Sequence, residues 1–176
     1  MGFLNESGQN LEQGVIKFGN SLGKVTVGSN SKKELLEMMK KENIHFEGRG
    51  MNSFILGRGG RKKIEAVNLI KFKIGDLVSL LKGGSVSLGD IVDTAKANGL
   101  RLCPKEAALQ FALKESERLK GPIGVLVENG DDFGYVDVDV DVDRIGGNLR
   151  EITIRLLDEF GREGIDDLTE EIVMMK

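Results

Sequence analysis

Four aspartates at strict two-residue spacing are the residues most suggestive of chemistry. Asp137, Asp139, Asp141 and Asp143 stand in YVDVDVDVDRIGG, residues 135–147. Carboxylates in series could ligate a divalent cation, or they could form the solvated side of a strand. A calcium loop winds its carboxylates around a tight turn, with glycine at the sixth position and a bidentate Glu at the twelfth. Counted from Asp137, those positions hold Val142 and Asn148. Period-two spacing instead throws the aspartates to one side of a strand and Val138, Val140 and Val142 to the other. Like-facing carboxylates then stand about 7 Å apart along the strand rather than around one point. The expectation is a sheet strand with one buried and one wet face, no bound metal and no cofactor. Asp137, Asp139 and Asp141 are candidate binding residues on the wet side. Residues 128–143 hold seven acids and no base, a stripe that repels itself unless cations sit across from it; Arg150 and Arg155 on the next strand, or the basic loop, could supply them, and the stripe could instead attract a basic partner.

A second candidate is basic. Arg49, Arg58, Arg61, Lys62, Lys63, Lys71 and Lys73 stand against Glu65 alone, a local charge of about +6 over residues 49–73. Gly57-Arg58-Gly59-Gly60-Arg61-Lys62-Lys63 offers backbone N–H groups beside cations, a combination that can cradle phosphates. It lacks the G-x-x-x-x-G-K-[ST] spacing of a P-loop. Arg58, Arg61, Lys62 and Lys63 are therefore candidate binding residues, with a solvated loop as the plainer reading. The third candidate is Cys103, the single cysteine. A thiol just before a helix can be activated by the helix dipole, but nucleophilic catalysis also needs a base. The single histidine, His45, lies between Ile44 and Phe46 and reads as a strand-edge residue. Packing in the core is the simpler role for Cys103.

These residues need a scaffold. Val15–Phe18 and Lys24–Val27 read as short strands around a turn at residues 19–23. Ser31 with Glu34 forms a capping box that opens a helix to about Lys41. Met51–Leu56 reads as a helical turn. Ile70, Phe72 and Ile74 alternate with Lys71 and Lys73 as a half-buried strand. Short helices follow from Asp76 and from Ser87, the latter stopped at Gly99. Pro104 suits a helix start, and Lys105–Lys120 continue it. Ile123–Val127 and Tyr135–Val142 read as strands around the Asn129-Gly130 turn. Residues 149–157 fit strand or helix, and the preceding Gly146-Gly147-Asn148 loop favours strand. Asp166–Met175 reads as a closing helix, its acids at the N-terminal end.

The fold class is α+β, a mostly antiparallel sheet with helices packed on one face. Residues 1–14 read as a flexible arm, 15–60 as a small hairpin-helix subdomain and 61–176 as the main domain. The chain has 176 residues, a net charge of −3 and 24 glycines, about twice the usual share. One cysteine excludes an internal disulfide and suits a reducing cytoplasm. No apolar run nears the roughly 18 residues of a membrane span. The first 14 residues lack the layout of a secretion signal, and Glu6 breaks the myristoylation pattern that Gly2 begins.

Asn98-Gly99-Leu100-Arg101-Leu102-Cys103-Pro104-Lys105-Glu106 resembles the G-L-x-L-C-P-x-E signature of an uncharacterised family from candidate-phylum bacteria. Val67–Ile70, Asp90-Ile91, Ala95 and Asn129–Asp132 resemble its flanking elements, so the likeness spans about residues 31–145. It departs after the signature, where Ala107–Leu113 replace the family's Gly-Pro and Arg-Leu, and in lacking a tryptophan. The resemblance implies shared architecture and assigns no catalytic residue. Lys17-Phe18-Gly19-Asn20-Ser21-Leu22-Gly23-Lys24-Val25 resembles the hairpin of AbrB/MazE-type DNA-binding antitoxins, in which Lys17 and Lys24 would be the DNA-gripping candidates. The usual proline is replaced by Gly28-Ser29.

Taken together, the sequence describes a cytoplasmic module without catalysis of its own, binding another macromolecule through segregated basic and acidic surfaces. That partner is most simply a protein. The alternatives are a nucleic-acid-associated regulator and a small thiol-dependent enzyme using Cys103.

Overall fold

The computed structural model describes residues 19–57, 63–78, 87–142, 150–157 and 171–176. In chain order the elements are β1 (Asn20–Val27), α1 (Lys32–Lys41), β2 (Ile44–Glu47), α2 (Met51–Leu56), β3 (Glu65–Lys73) and α3 (Ile74–Val78). They continue with α4 (Leu88–Ala97), α5 (Glu106–Glu115), β4 (Ile123–Asn129), β5 (Asp132–Val142), β6 (Arg150–Leu157) and β7 (Glu171–Met175). The strands form one sheet in the order β1-β3-β7-β4-β5-β6-β2. Neighbours run antiparallel except β4 with β7 and β2 with β6, which are parallel. The class is α+β with a mixed, mostly antiparallel sheet. Both strands described within residues 19–57 belong to it, β1 at one edge and β2 at the other. None of the helices among the described residues is long and apolar enough to cross a membrane.

The expectation of helices on one face is corrected. The central strands are apolar on both sides. Val67, Leu69, Val125, Val127, Val173 and Met175 share one cluster with buried residues of α1, α2 and α5. Ile70, Phe72, Leu126, Ile172 and Met174 share another with Leu88, Ile91, Val92 and Ala95 of α4. A strand apolar on both sides must be covered on both. Both α1 and α4 begin with the same device. Ser31 Oγ accepts from Glu34 N–H at 3.2 Å and the Glu34 carboxylate accepts from Ser31 N–H at 2.6 Å. Ser87 and Asp90 repeat the exchange at 3.2 and 2.9 Å. Such boxes are worth about 1 kcal/mol each.

Two further expectations are corrected. Gly19–Gly23 is not the turn of a hairpin. Asn20–Val27 is one strand with a bulge at Leu22, its register against β3 stepping from Ser21↔Ile70 to Gly23↔Leu69. Gly23 takes φ +79° there, so the glycine that suggested a turn serves a bulge. Lys114 Nζ on α5 clamps it, donating to the carbonyls of Leu22 at 2.6 Å and Lys24 at 3.2 Å. Val15–Phe18 lie outside the described residues. At the other end, Glu171–Met175 is a strand rather than the end of a helix. It is central and buried on both sides, so its apolar run shows no alternation from which strand could be told from helix.

The chain between α4 and α5 passes through the sheet. Gly99, at φ +83°, ends α4. Leu100 and Leu102 pack with the α4 cluster and Cys103 with the α5 cluster. The parallel strands β4 and β7 pair only at Gly124↔Ile172 and Val125↔Val173. Beyond that point residues 101–103 fill the gap between them. Arg101 and Met175 exchange backbone bonds of 2.7 and 2.9 Å, while Cys103 bonds Leu126 O at 2.8 Å and accepts from Glu128 N–H at 2.9 Å. The G-L-R-L-C-P stretch is thus an architectural passage from one face to the other.

Candidate functional site

The alternation along β5 holds in the structure. Val136 and Val138 are fully buried in the α5-side cluster. Tyr135, Asp137, Asp139 and Asp141 therefore point to the α4 side. That side is apolar over β3, β7 and β4, where α4 packs. Over β5, β6 and β2 it turns polar. The register brings Asp137 opposite Arg155, Asp139 opposite Thr153 and Asp141 opposite Glu151. On β2, Glu47 pairs with Arg155 and His45 with Thr153. One sheet face thus presents Asp137, Asp139, Asp141, Glu151 and Glu47 around Arg155 and His45.

Arg155 is the hub. Its Nε donates to Asp137 Oδ2 at 2.9 Å and its Nη2 lies 2.8 Å from the same oxygen. Nη2 also lies 3.5 Å from Asp139 Oδ2, and Nη1 3.6 Å from Glu47 Oε2. His45 Nε2 meets the Glu151 carboxylate at the outer edge. Asp137 is only 5 % exposed. Burial pushes its carboxyl above the ordinary range, against the opposing pull of the Arg155 hydrogen bond and charge. Burial works against the charge of Arg155 too, but the Asp137 hydrogen bond and the three carboxylates outweigh it and hold the guanidinium more firmly protonated. The expected wet face is therefore corrected at its inner end. Asp137 is a buried, ion-paired group, and the face becomes solvated only from Asp139 to Asp141. Arg155 is the cation that the acid stripe required. No group of three His, Cys, Asp or Glu among the described residues could hold a metal ion.

The basic candidates are not brought to this face. Arg58, Arg61 and Lys62 lie outside the described residues. Lys63 is exposed just ahead of β3, with β7 and β4 between that strand and β5. Of the other bases in the 49–73 stretch, Lys71 is neutralised by Glu171 at 2.9 Å. Lys24, from the antitoxin-like stretch, is exposed, and Lys17 lies outside the described residues.

Cys103 is fully buried in the passage between β7 and β4. Burial, with a smaller contribution from the charge of Glu128, pushes its thiol up to about 12. A nucleophile needs the reverse shift and an adjacent base. The one histidine sits on edge strand β2, with β5 and β6 between it and β4. In the folded protein at pH 8, iodoacetamide is expected to modify Cys103 at least ~100-fold more slowly than in denaturant, since thiolate fraction and access both fall. Mass spectrometry showing the same rate in both states would contradict this placement.

No family model, curated protein or solved structure matches the chain. What the site can do rests on its own geometry, and several of its members were missed in the sequence. Glu47 and His45 join the face only because β2 pairs in parallel with β6, more than a hundred residues away. Two buried acids of α5 were also missed. Glu106, 4 % exposed, accepts from Gly28 N–H at 2.9 Å and from Gln110 at 3.3 Å, tying α5 to the end of β1. Glu115, 8 % exposed, falls on the apolar stripe Ala108, Phe111, Ala112, Leu119. An acid on such a stripe is a readable signal.

Proposed function

We propose that the protein is a non-catalytic cytoplasmic binding module whose β5–β6–β2 face docks a basic protein surface. The supporting observation is the imbalance on that face, five carboxylates around the single guanidinium of Arg155. Asp139, Glu47 and Glu151 keep 34, 61 and 50 % of their side-chain surface exposed. Charges so arranged steer association and set partner choice more than they add affinity. They also weaken beyond a Debye length, so salt should loosen the complex. The burial of Cys103, which pushes its thiol up to about 12, speaks against the thiol-enzyme alternative.

The test is a low-salt capture with the full chain beside a D139N/D141N/E151Q variant, which keeps shape and hydrogen-bonding capacity. Basic proteins are expected on the wild type and not on the variant. Their affinity should fall about tenfold between 50 and 300 mM salt. Equal capture by both forms would refute the reading. Salt-sensitive retention of DNA or RNA, unaffected by the three substitutions, would transfer the function to the basic stretch around Lys63 and to the nucleic-acid-associated reading.

A further inference from the structure

The two edges of the sheet are finished differently. At β1, charged side chains of α5 occupy the backbone. Lys114 Nζ donates to the carbonyls of Leu22 and Lys24, and Glu106 accepts from Gly28 N–H. Cover of this kind keeps other chains from pairing with an edge. At β2 the described residues supply no such cover. Ile152 N–H donates to Asn43 O at 3.0 Å, which fixes the alternation along the strand. His45 and Glu47 bond toward β6, so the N–H and C=O of Ile44 and Phe46 point to the outer side. Ile44 is buried. Phe46 is half-buried, and its backbone groups meet no partner among the described residues.

A groove of about 470 Å³ lies beside that edge, between β2, α1 and α2. Leu36, Met39, Ile44 and Phe46 give it apolar surface. Leu36 is left 37 % exposed there. Asn52 lines the groove too, and its Oδ1 is the one buried side-chain polar atom without a hydrogen-bond partner among the described residues. Such atoms are rare in native structures. A turn of this amide toward the groove would let it accept from an incoming N–H. On the other side of the strand, His45 and Glu47 belong to the acidic face. Glu47 and Glu151 keep 61 and 50 % of their side-chain surface exposed. The open edge therefore divides an apolar groove from an acidic surface.

We propose that the partner docks by adding an extended segment to the outer edge of β2, with basic and apolar residues in alternation. The inference rests on the acidic-face reading above and says how the partner is held. One residue of an added antiparallel strand exchanges two backbone bonds with Phe46. Its side chain stands beside Phe46 and enters the groove. Its two neighbours fall on the other face, one beside Glu47 and one beside His45 and Glu151. Basic side chains there meet carboxylates, so the pattern recognised is basic-apolar-basic. A folded basic surface would satisfy the acids but leave the groove and the Phe46 backbone unused.

Fluorescence anisotropy on the full chain tests this with labelled peptides. Lys-Leu-Lys-Leu-Lys-Leu-Lys is expected to saturate the protein below ~1 mM, and Lys-Lys-Leu-Leu-Leu-Lys-Lys to bind about tenfold more weakly. Methylating the leucine amide nitrogens removes the N–H groups that face β2 and should weaken binding about tenfold. Methylating the lysine amide nitrogens, which face away, should cost less than about twofold. L36K puts a cation on an exposed position of the groove and should weaken the alternating peptide about tenfold. Strand addition is overturned if the two methylated peptides bind alike, if the block peptide binds as well, if L36K changes nothing, or if no peptide saturates. The acidic-face reading survives that result if basic proteins are still captured by the wild type and not by D139N/D141N/E151Q. Equal capture by both forms defeats the reading, and strand addition with it. A dimer in sedimentation velocity that L36K dissociates would seat a second copy on the edge and overturn the proposal.

Discussion

Replacing Gly124 by alanine is expected to lower the unfolding free energy by about 3 kcal/mol, at the upper end for an overpacked core. A Cβ at this position would overlap the ring and hydroxyl of Tyr135. The two residues lie on neighbouring strands one register step apart, Gly124 facing Asp137 and Leu126 facing Tyr135. The Tyr135 ring therefore lies across the bare backbone at Gly124. It cannot retreat, being 3 % exposed within the α4-side cluster. Nor can Gly124 move away, because β7 pairs with it on the other side. The direction of the effect should depend on the ring. Glycine in a strand interior is otherwise worse than alanine by about 0.5–1 kcal/mol. In a Y135V background, where the ring is gone, the same alanine should be neutral or stabilising. Urea unfolding of the four forms gives the coupling. A penalty of similar size in both backgrounds would place the clash elsewhere and reject this account.

The parts of the fold that could be read in advance share one property: their signals are local. The capping box at Ser31, the helix start at Ser87, the Asn129-Gly130 turn and the alternation in 136–141 each depend on residues a few positions apart. For the ambiguous 149–157 segment the glycine-rich stretch after a clear strand favoured strand over helix, and Arg150–Leu157 is a strand. What escaped was non-local or masked by burial. The run Ile172–Met175 is apolar throughout because the strand is covered on both faces, and a four-residue run carries no period. The same two-sided burial of β3, β4 and β7 is why helices on one face was the wrong expectation. Gly23 announced a positive φ without announcing whether a turn or a bulge would use it. The place of Glu47 and His45 on the acidic face follows from a parallel pairing that no local pattern encodes.

The candidate surfaces divide in the same way. The acidic face was legible because a strand imposes its period on charge. Its inner end was not, because burial of Asp137 depends on how closely the Arg155 side chain closes over it. Glu115 was legible in principle, as a charge on the apolar stripe of α5. The G-L-R-L-C-P stretch reads differently once placed. Its small buried cysteine and flanking leucines suit a chain that must cross between two strands and pack on both sides of them.

Arg155→Ala is expected to cost about 2–3 kcal/mol at pH 7, and the cost should shrink as the pH falls. Breaking a buried ion pair from one side typically costs about 3–5 kcal/mol. The lower figure applies because the Arg155 side chain is 39 % exposed and solvent screens part of the pair. The pH dependence follows from Asp137. Its folded-state carboxyl already titrates above the ordinary range, burial being the leading cause and Arg155 the chief restraint. A raised acid binds its proton more tightly folded than unfolded. Between the unfolded value, about 3.9, and the folded one, the native state holds more protons, so stability increases as pH falls. Removing Arg155 removes its hydrogen bond and its charge together, while Asp139 and Glu47 still repel. The folded value then rises further and the window widens upward toward neutrality. Acidification from pH 7 to 5 should recover much of the lost stability in the variant and little in the wild type. Asp137→Asn in the Arg155→Ala background removes the charge that burial penalises, so it should restore most of the loss at pH 7 and flatten the response. Chemical denaturation across that pH range decides the matter. A penalty that stays constant with pH, or that survives Asp137→Asn, would mean that Arg155 stabilises the sheet by covering it with its aliphatic stem and not by holding a buried charge.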